Sequence, residues 1–463
     1  MKYYRSINRG GIEGSGEMYS LAPGGEAAME PAVETKSRME TFFLVLAVAG
    51  IAIQLLLLLV ALFQPPLPYR IAKAPQSPLN SEEFARVLGA LSDAEPHRDT
   101  LVDVLTNGPA FYEAELEAIA GARSFICLEA YIFQKGDVAR RFIDALAERA
   151  RAGVEVRLVL DAIGSLNTWP GTFRKLLDAG GAVRWYMPFR WYNLPRMNNR
   201  THRELIVVDG HVGFVGGAGI ADHWYKDRGH RKRCWRDTMF RVRGRAVAGL
   251  QSMFAENWLE SSGELLTGRK YFPECTAAGG TAALVINSTP TSARATRARM
   301  VFQTLLAAAS RSIHITTPYF LPDRSARQEL IRAMERGAEV KIIVPGKHSD
   351  HLLTRRSSRR LYGELLKHGA QIYEYEPAMI HTKSLVVDGA WSVVGSTNFD
   401  ARSFGINDEV NLAALDDALA ARLEEDFQRD LGASRRIAYK EWQRRSPLER
   451  VNEWLGWILE RQE

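Results

Sequence analysis

The feature that most limits how this chain can fold is an internal repeat. The run ARSFICLEAYIF (122–133) resembles SRSIHITTPYFL (310–321), and RAGVEVRL (151–158) resembles RGAEVKII (336–343). LLDAG (176–180) then resembles LLKHG (365–369), and THRELIVVDG (201–210) resembles IHTKSLVVDG (380–389). Four matches in one order imply two homologous units, about 81–265 and 280–435. Short β-branched or aromatic runs alternate with amphipathic stretches. The spacing predicts strands over 125–133, 154–160, 204–208 and 212–215, and helices over 138–151 and 247–259. Such alternation gives α/β units, each a sheet with helices on its faces. A chain of 463 residues exceeds one ordinary core, in keeping with two such units.

Outside the repeat, residues 1–40 are polar and mixed in charge, which reads as a flexible tail. Residues 42–63 carry no charge, and Gln54 is their only strongly polar side chain. As a helix this run spans about 33 Å, enough for a hydrocarbon core of about 30 Å, so 41–64 reads as a transmembrane anchor. A signal peptide would start nearer Met1 and end in small residues, not in Gln64, Pro65 and Pro66. Lys36 and Arg38 on one side nearly balance Arg70 and Lys73 on the other, so the positive-inside rule leaves orientation open. A proline-rich linker, 65–80, follows. At the other end, Leu448, Val451, Trp454, Leu455, Ile458 and Leu459 recur with helical spacing after Ser446 and Pro447. Residues 436–463 therefore read as an amphipathic helix, docked on the core or lying on a bilayer. Cys127, Cys234 and Cys275 have neither metal spacing nor a disulfide framework and read as structural thiols in a reducing compartment. A net charge of +6 suits an anionic partner without demanding one.

The chemistry-bearing residues lie in the last pair of matching runs and just beyond. The second unit holds His381 and Lys383, then Asp388, then Gly395, Ser396 and Asn398, which is H-x-K-x4-D followed by G-S-x-N. In an extended segment alternate side chains share a face, so His381 and Lys383 point the same way. The imidazole can attack phosphorus while the ammonium, with Ser396 and Asn398, holds oxygens of the same phosphate. Asp388, at a strand end before Gly389, reads as structural support. The first unit holds a degenerate copy: His202 and Asp209 are in register, but Glu204 stands at the lysine position, and Gly217 and Gly219 stand at the serine and asparagine positions.

These motifs are the signature of the phospholipase D superfamily. With the runs beginning Asn107-Gly108-Pro109, Leu128-Glu129-Ala130-Tyr131 and Trp235-Arg236-Asp237, residues about 100 to 440 resemble bacterial cardiolipin synthases. The resemblance implies two homologous phospholipase D-like halves packed around one pseudo-two-fold active site, plus the N-terminal transmembrane helix. It implies a phosphatidyltransferase that needs neither metal nor organic cofactor. One histidine attacks a phosphatidyl donor to give a phosphohistidine, the other protonates the leaving glycerol, and a hydroxyl of a second phosphatidylglycerol then attacks. Carried over by position, the catalytic set is His202, His381, Lys383, Asp209, Asp388, Asp237 and Glu409, with Lys383, Ser396 and Asn398 on the phosphate. Asp237 is placed behind the first histidine, His202, and Glu409 at the matching place in the second half. The expected partners are phospholipids, phosphatidylglycerol foremost, and the membrane. The expected location is the cytoplasmic (inner) membrane, single-pass, with the catalytic part on the cytoplasmic side. The superfamily also includes nucleases, and the basic residues of 228–236 and at 355, 356, 359 and 360 would suit any polyanion. The anchor and the two-half length favour lipid over nucleic acid.

Glu204 is the departure to be explained. Two unit charges about 4 Å apart at an effective dielectric near 20 repel by roughly 4 kcal/mol, so a bare carboxylate facing a phosphodiester would cripple the site. The side chain must be paired, protonated or turned away. Arg200, two residues before His202, shares its face, and the expectation is an Arg200–Glu204 pair or a Glu204–Lys383 pair across the site.

Overall fold

The computed structural model describes residues 31–62, 69–168, 170–189, 198–225, 234–290, 295–447 and 449–450. The chain divides into an N-terminal unit ending at Ala61 and a large unit from Leu62 onward. The described residues of the N-terminal unit belong to one helix, Pro31–Leu62. Over Arg38–Leu57 its mean hydropathy is 2.2 and none of its surface is buried, so it is long and apolar enough to cross a membrane. Proline suits its first turn, where the missing N–H would have no partner. Residues 31–40, read from the sequence as flexible tail, are thus helical; residues 1–30 lie outside those described.

In the large unit the first half contributes β1 (His97–Thr106), β2 (Phe125–Ala130), β3 (Glu155–Asp161), β4 (Ala182–Tyr186), β5 (Leu205–Val208), β6 (Val212–Gly216) and β7 (Thr238–Arg243). The second half contributes β8 (Thr281–Ser288), β9 (Ser312–Thr316), β10 (Phe320–Leu321), β11 (Glu339–Pro345), β12 (Gln371–Tyr375), β13 (Ser384–Val387), β14 (Trp391–Gly395), β15 (Phe399–Asp400), β16 (Glu409–Leu415) and β17 (Ser434–Ile437). Their spatial order is β4-β3-β2-β5-β6-β7-β1 in one half and β12-β11-β9-β13-β14-β16-β8 in the other, with β17 outside β12. The repeat is therefore one of topology as well as sequence. β1 and β8 pair antiparallel and join the halves into one continuous sheet, with a register slip between His97 and Thr100.

The inner faces of the halves share one core: Val207, Val215 and Phe240 pack in the same cluster as Val394, Val410 and Leu412. The expected strands and helices occur within a few residues of their sequence bounds. The largest difference is at 125–133, where pairing stops at Ala130 because the Tyr131 and Ile132 amides turn to the Glu204 carboxyl instead. The helix Glu82–Ser92, assigned by sequence to the first half, buries Phe84 and Leu88 in the second half's core against Leu284 and Val301. The end of the proline-rich segment is also tied there: the Leu79 carbonyl accepts from Trp391 Nε1 at 2.7 Å and the Ile71 carbonyl from Arg332 at 3.2 Å. The C-terminal region begins as β17 and a short helix, Tyr439–Gln443, not as one helix from 436. Ser446 Oγ then accepts from Glu449 N at 3.2 Å while Glu449 Oε2 accepts from Ser446 N at 3.0 Å, a reciprocal cap that starts a new helix at Pro447. Its apolar stripe from Val451 on lies outside the described residues, as does 228–233 of the basic run.

Candidate active site

Both histidine motifs begin just before a hairpin. After β5 and β13 the chain reverses at Asp209-Gly210 and Asp388-Gly389, all four at positive φ, the conformation for which Asp-Gly is favoured in tight hairpins. Asp209 accepts from the amides of Arg123, Ser124 and Phe125. Asp388 accepts from those of Ser310, Arg311 and Ser312. Burial works to raise the Asp388 pKa, but these amides outweigh it and hold the carboxyl below its ordinary range. Each aspartate ties its hairpin to the start of the neighbouring strand and touches neither imidazole. These contacts suit a structural part for Asp209 and Asp388 rather than the catalytic one expected.

The segments just ahead of the hairpins are exchanged between halves. His202 N donates to the Asp408 carbonyl at 2.8 Å and Asp408 N to the Arg200 carbonyl at 2.9 Å. In the mirror arrangement His381 N donates to the Arg236 carbonyl at 2.7 Å and Arg236 N to that of Met379 at 2.9 Å. Each histidine therefore lies beside the other half's acidic residue. His202 Nδ1 is 3.0 and 3.1 Å from the two oxygens of Glu409, and His381 Nδ1 is 2.9 Å from Asp237 Oδ2. Asp237 thus stands behind His381 rather than His202, and the pairing is crosswise. A carboxylate on Nδ1 fixes the tautomer and turns Nε2 outward.

The two carboxylates are supported differently. Ser396 Oγ donates to Glu409 and accepts from Val410 N at 3.0 Å, so this hydroxyl, expected on the phosphate, is engaged behind His202. Asp237 Oδ2 instead receives Trp224 Nε1 at 3.1 Å, and its Oδ1 receives Thr238 N at 2.8 Å. Its pKa lies below the ordinary value because the His381 hydrogen bond and nearby cations outweigh a burial effect that raises it. Trp224 and Trp235 flank the His381 ring, each with its centroid 5.4 Å away. Tyr131 lies edge-on to His202 at 5.1 Å and Tyr319 edge-on to His381 at 6.5 Å. Sequence reasoning missed these aromatics, although Tyr131 and Tyr319 fall at equivalent places in the repeat.

Lys383 is buried, with Nζ 2.8 and 2.9 Å from the two ring nitrogens of His381 and 3.0 Å from that residue's carbonyl. Being nearly equidistant from both nitrogens, the ammonium rests against the ring rather than on one lone pair. Burial first, then this ammonium, lowers the His381 pKa. Burial lowers that of Lys383 as well. Asn398 is buried, and its carboxamide oxygen, an acceptor, has no partner among the described residues.

Neither expected partner holds Glu204. Arg200 is bound to Asp161 at 3.4 Å and to the Met187 carbonyl at 2.9 Å, and no Glu204–Lys383 ion pair forms among the described residues. Glu204 Oε1 accepts from Tyr131 N at 3.2 Å and Ile132 N at 3.1 Å. Burial pushes its pKa well up, and the amides and the Lys383 charge offset only part of that. The residue is turned onto these two amides, in a setting whose burial favours the uncharged carboxyl. It borders a small cavity of about 10 Å³, room for about one water, shared with Glu115 and Glu129. Burial raises the Glu129 pKa to about 7. The glycines make this arrangement possible. A Cβ on Gly219 would stand 2.9 Å from Glu204 Oε1, and one on Gly217 would stand 2.8 Å from Lys383 Cδ. The space of the missing serine is filled by the other half's lysine. A larger cavity, about 210 Å³, opens beside Asp408 and is lined by Glu256 and Glu260, carboxylates ill suited to a phosphate.

Comparison with known proteins places this geometry. The family model described as "Cardiolipin synthase, PLD-like domain" matches residues 116–237 and 302–431, one range in each half. The major cardiolipin synthase ClsA of Bacillus subtilis (strain 168) is 35% identical over 78% of this chain and 75% of its own length. The chain belongs to the cardiolipin synthase family of phospholipase D-like proteins. Cardiolipin synthase 1 of Staphylococcus epidermidis is 32% identical over 79% of this chain and 75% of its own length. Among solved structures, phosphatidylserine synthase of Haemophilus influenzae Rd KW20 superposes with a TM-score of 0.62 at 15% identity, covering 82% of this chain and 98% of that one, a likeness of fold. Membership of the cardiolipin synthase family makes this chain a phosphatidyltransferase enzyme acting in phospholipid metabolism.

Proposed function

We propose that this chain is a membrane-anchored cardiolipin synthase that transfers a phosphatidyl group from one phosphatidylglycerol to a hydroxyl of another and releases glycerol. The observation that carries the reading is the crosswise pair of histidine–carboxylate contacts at the junction of the halves, with Lys383 against His381. A single phosphate between two Nε2 atoms is the substrate such a site suits. One imidazole attacks phosphorus, the P–O bond to glycerol breaks, and the other imidazole protonates the departing oxygen. The acceptor hydroxyl then gives its proton back to that second imidazole and displaces the phosphohistidine. Lys383 and Asn398 hold the non-bridging oxygens as charge develops on them. His202, His381 and Lys383 are the catalytic residues in this reading, Asp237, Glu409 and Ser396 the positioning residues.

The helix Pro31–Leu62 supports a single-pass membrane anchor; the cytoplasmic membrane, with the catalytic part on its cytoplasmic side, is the location that belongs to this proposal. The test is incubation of the purified full chain with labelled phosphatidylglycerol in vesicles, followed by lipid mass spectrometry. Cardiolipin and glycerol in equal amounts are expected. Phosphatidic acid without cardiolipin would make it a hydrolase, and unchanged lipid would overturn the proposal.

A further inference from the structure

The two half-sites share a carboxylate on Nδ1 and an edge-on tyrosine but differ in the other groups around their histidines, and the differences point one way. The side chains free to grip a phosphate belong to the second half. Lys383 lies against the His381 ring, and Asn398, whose carboxamide N–H is a donor suited to a phosphate oxygen, is buried. At the matching places the first half has Glu204, folded onto the Tyr131 and Ile132 amides, and Gly217 and Gly219, which have no side chain. Ser396 does not restore the balance, because its hydroxyl is engaged on Glu409.

The electrostatics of the histidines differ in the same sense. An ammonium within 3 Å of both ring nitrogens of His381 opposes a second positive charge there. The ring is walled by Trp224, Trp235 and Tyr319, and its side chain is 5% exposed against 12% for His202. Among the described residues no cation is hydrogen-bonded to the His202 ring; its Nδ1 lies within reach of both oxygens of Glu409, which Ser396 also holds. A nucleophile needs an Nε2 kept from protonation and a phosphate held next to it. A proton carrier needs a carboxylate that supports its cation and access to the departing and arriving hydroxyls.

We infer that His381, in the second half, is the nucleophile of this chain and that His202, in the first, is its general acid and base. The inference rests on the phosphatidyl-transfer reading above and goes further by assigning the two roles. The His381 Nε2 lone pair forms the P–N bond as the P–O bond to the leaving alcohol breaks, and that oxygen takes the proton from the His202 cation. In the second step neutral His202 takes the acceptor hydroxyl proton, the new P–O bond forms, and the P–N bonding pair returns to His381.

The test uses the full chain in mixed vesicles with a phosphatidyl ester of p-nitrophenol, whose anion leaves without needing a proton. His202→Ala should keep a burst of about one equivalent of p-nitrophenolate per chain and accumulate a lipid adduct that peptide mass spectrometry maps to His381. Its turnover of phosphatidylglycerol should fall by about 10²–10⁴-fold. His381→Ala should lose both burst and adduct. An adduct on His202, or a burst that survives in His381→Ala but not in His202→Ala, would overturn the assignment. His202→Gln, with thermal melts of each variant, separates loss of the burst from loss of the fold. Wild-type chain that releases no p-nitrophenolate and makes no new lipid would sink the phosphatidyl-transfer reading itself, whereas an active wild type with its adduct on His202 sinks only the assignment.

Discussion

Asp237→Asn probes the crosswise architecture most directly. Asp237 is fully buried, and its Oδ2 receives both His381 Nδ1 at 2.9 Å and Trp224 Nε1 at 3.1 Å. Unit charges 2.9 Å apart attract by about 6 kcal/mol at an effective dielectric near 20, which bounds what the carboxylate can contribute to a His381 cation. Asparagine keeps the volume and one acceptor but loses the charge, and its amide can present N–H where an acceptor is required. The corresponding change in a serine protease triad lowers turnover about 10⁴-fold. Lys383 already opposes protonation of His381, so part of the attraction is cancelled. We therefore expect transphosphatidylation to fall by about 10²–10⁴-fold, or roughly 3–5 kcal/mol of barrier. Asp237 favours the charged form of His381, so its loss should move the His381 titration further down in pH. The assay is NMR of the histidine-labelled chain in detergent, with the rings assigned by His→Gln variants. Asp237→Asn should displace the His381 signals and leave those of His202 in place, and Glu409→Gln should do the reverse. Displacement of His202 by Asp237→Asn would mean that each carboxylate serves its own half, and the reasoning would fail.

Glu204→Gln should leave turnover within about threefold, because the neutral amide keeps an oxygen for the Tyr131 and Ile132 amides. Glu204→Lys should lower the Tm and the activity together by burying a second ammonium near Lys383, at a cost of about 3 kcal/mol or more; a rise in turnover would show a decayed lysine position instead. Trp224→Phe keeps the ring against His381 but removes the N–H from Asp237, leaving that carboxylate a better acceptor from His381. Turnover should fall about tenfold, and the acidic limb of the pH–rate profile should move to higher pH; an unmoved limb would reduce Trp224 to packing. Asp388→Asn should destabilise the fold by about 1–3 kcal/mol at neutral pH, since its NH2 would meet amides that now donate to a carboxylate. The Asp388 pKa is depressed in the fold, so its stabilisation is present above the ordinary aspartate range and lost as pH falls through the folded value. Thermal melts against pH should show that loss in the wild type and not in the variant.

The sequence alone carried everything that depends on local spacing or on comparing one stretch of the chain with another. The two halves followed from four matching runs, the strands from β-branched periodicity, and the apolar helix from a run without charge. The shared face of His381 and Lys383 followed from alternation in an extended segment. Asp388 was legible as a turn residue because Asp-Gly at a strand end is a local instruction. The tertiary structure decided what depends on groups distant in sequence. Asp237 and His381 are 144 residues apart, and Glu409 and His202 are 207 apart. Which carboxylate meets which imidazole is set by the backbone bridges between halves, not by order along the chain. Arg200 shares a face with Glu204 in sequence, yet it is taken by Asp161, which β3 brings beneath it. The glycines at 217 and 219 read as decay in one dimension. In three, each leaves the space that a neighbouring side chain fills, because a close-packed interior assigns the volume of a missing group to whatever lies beside it.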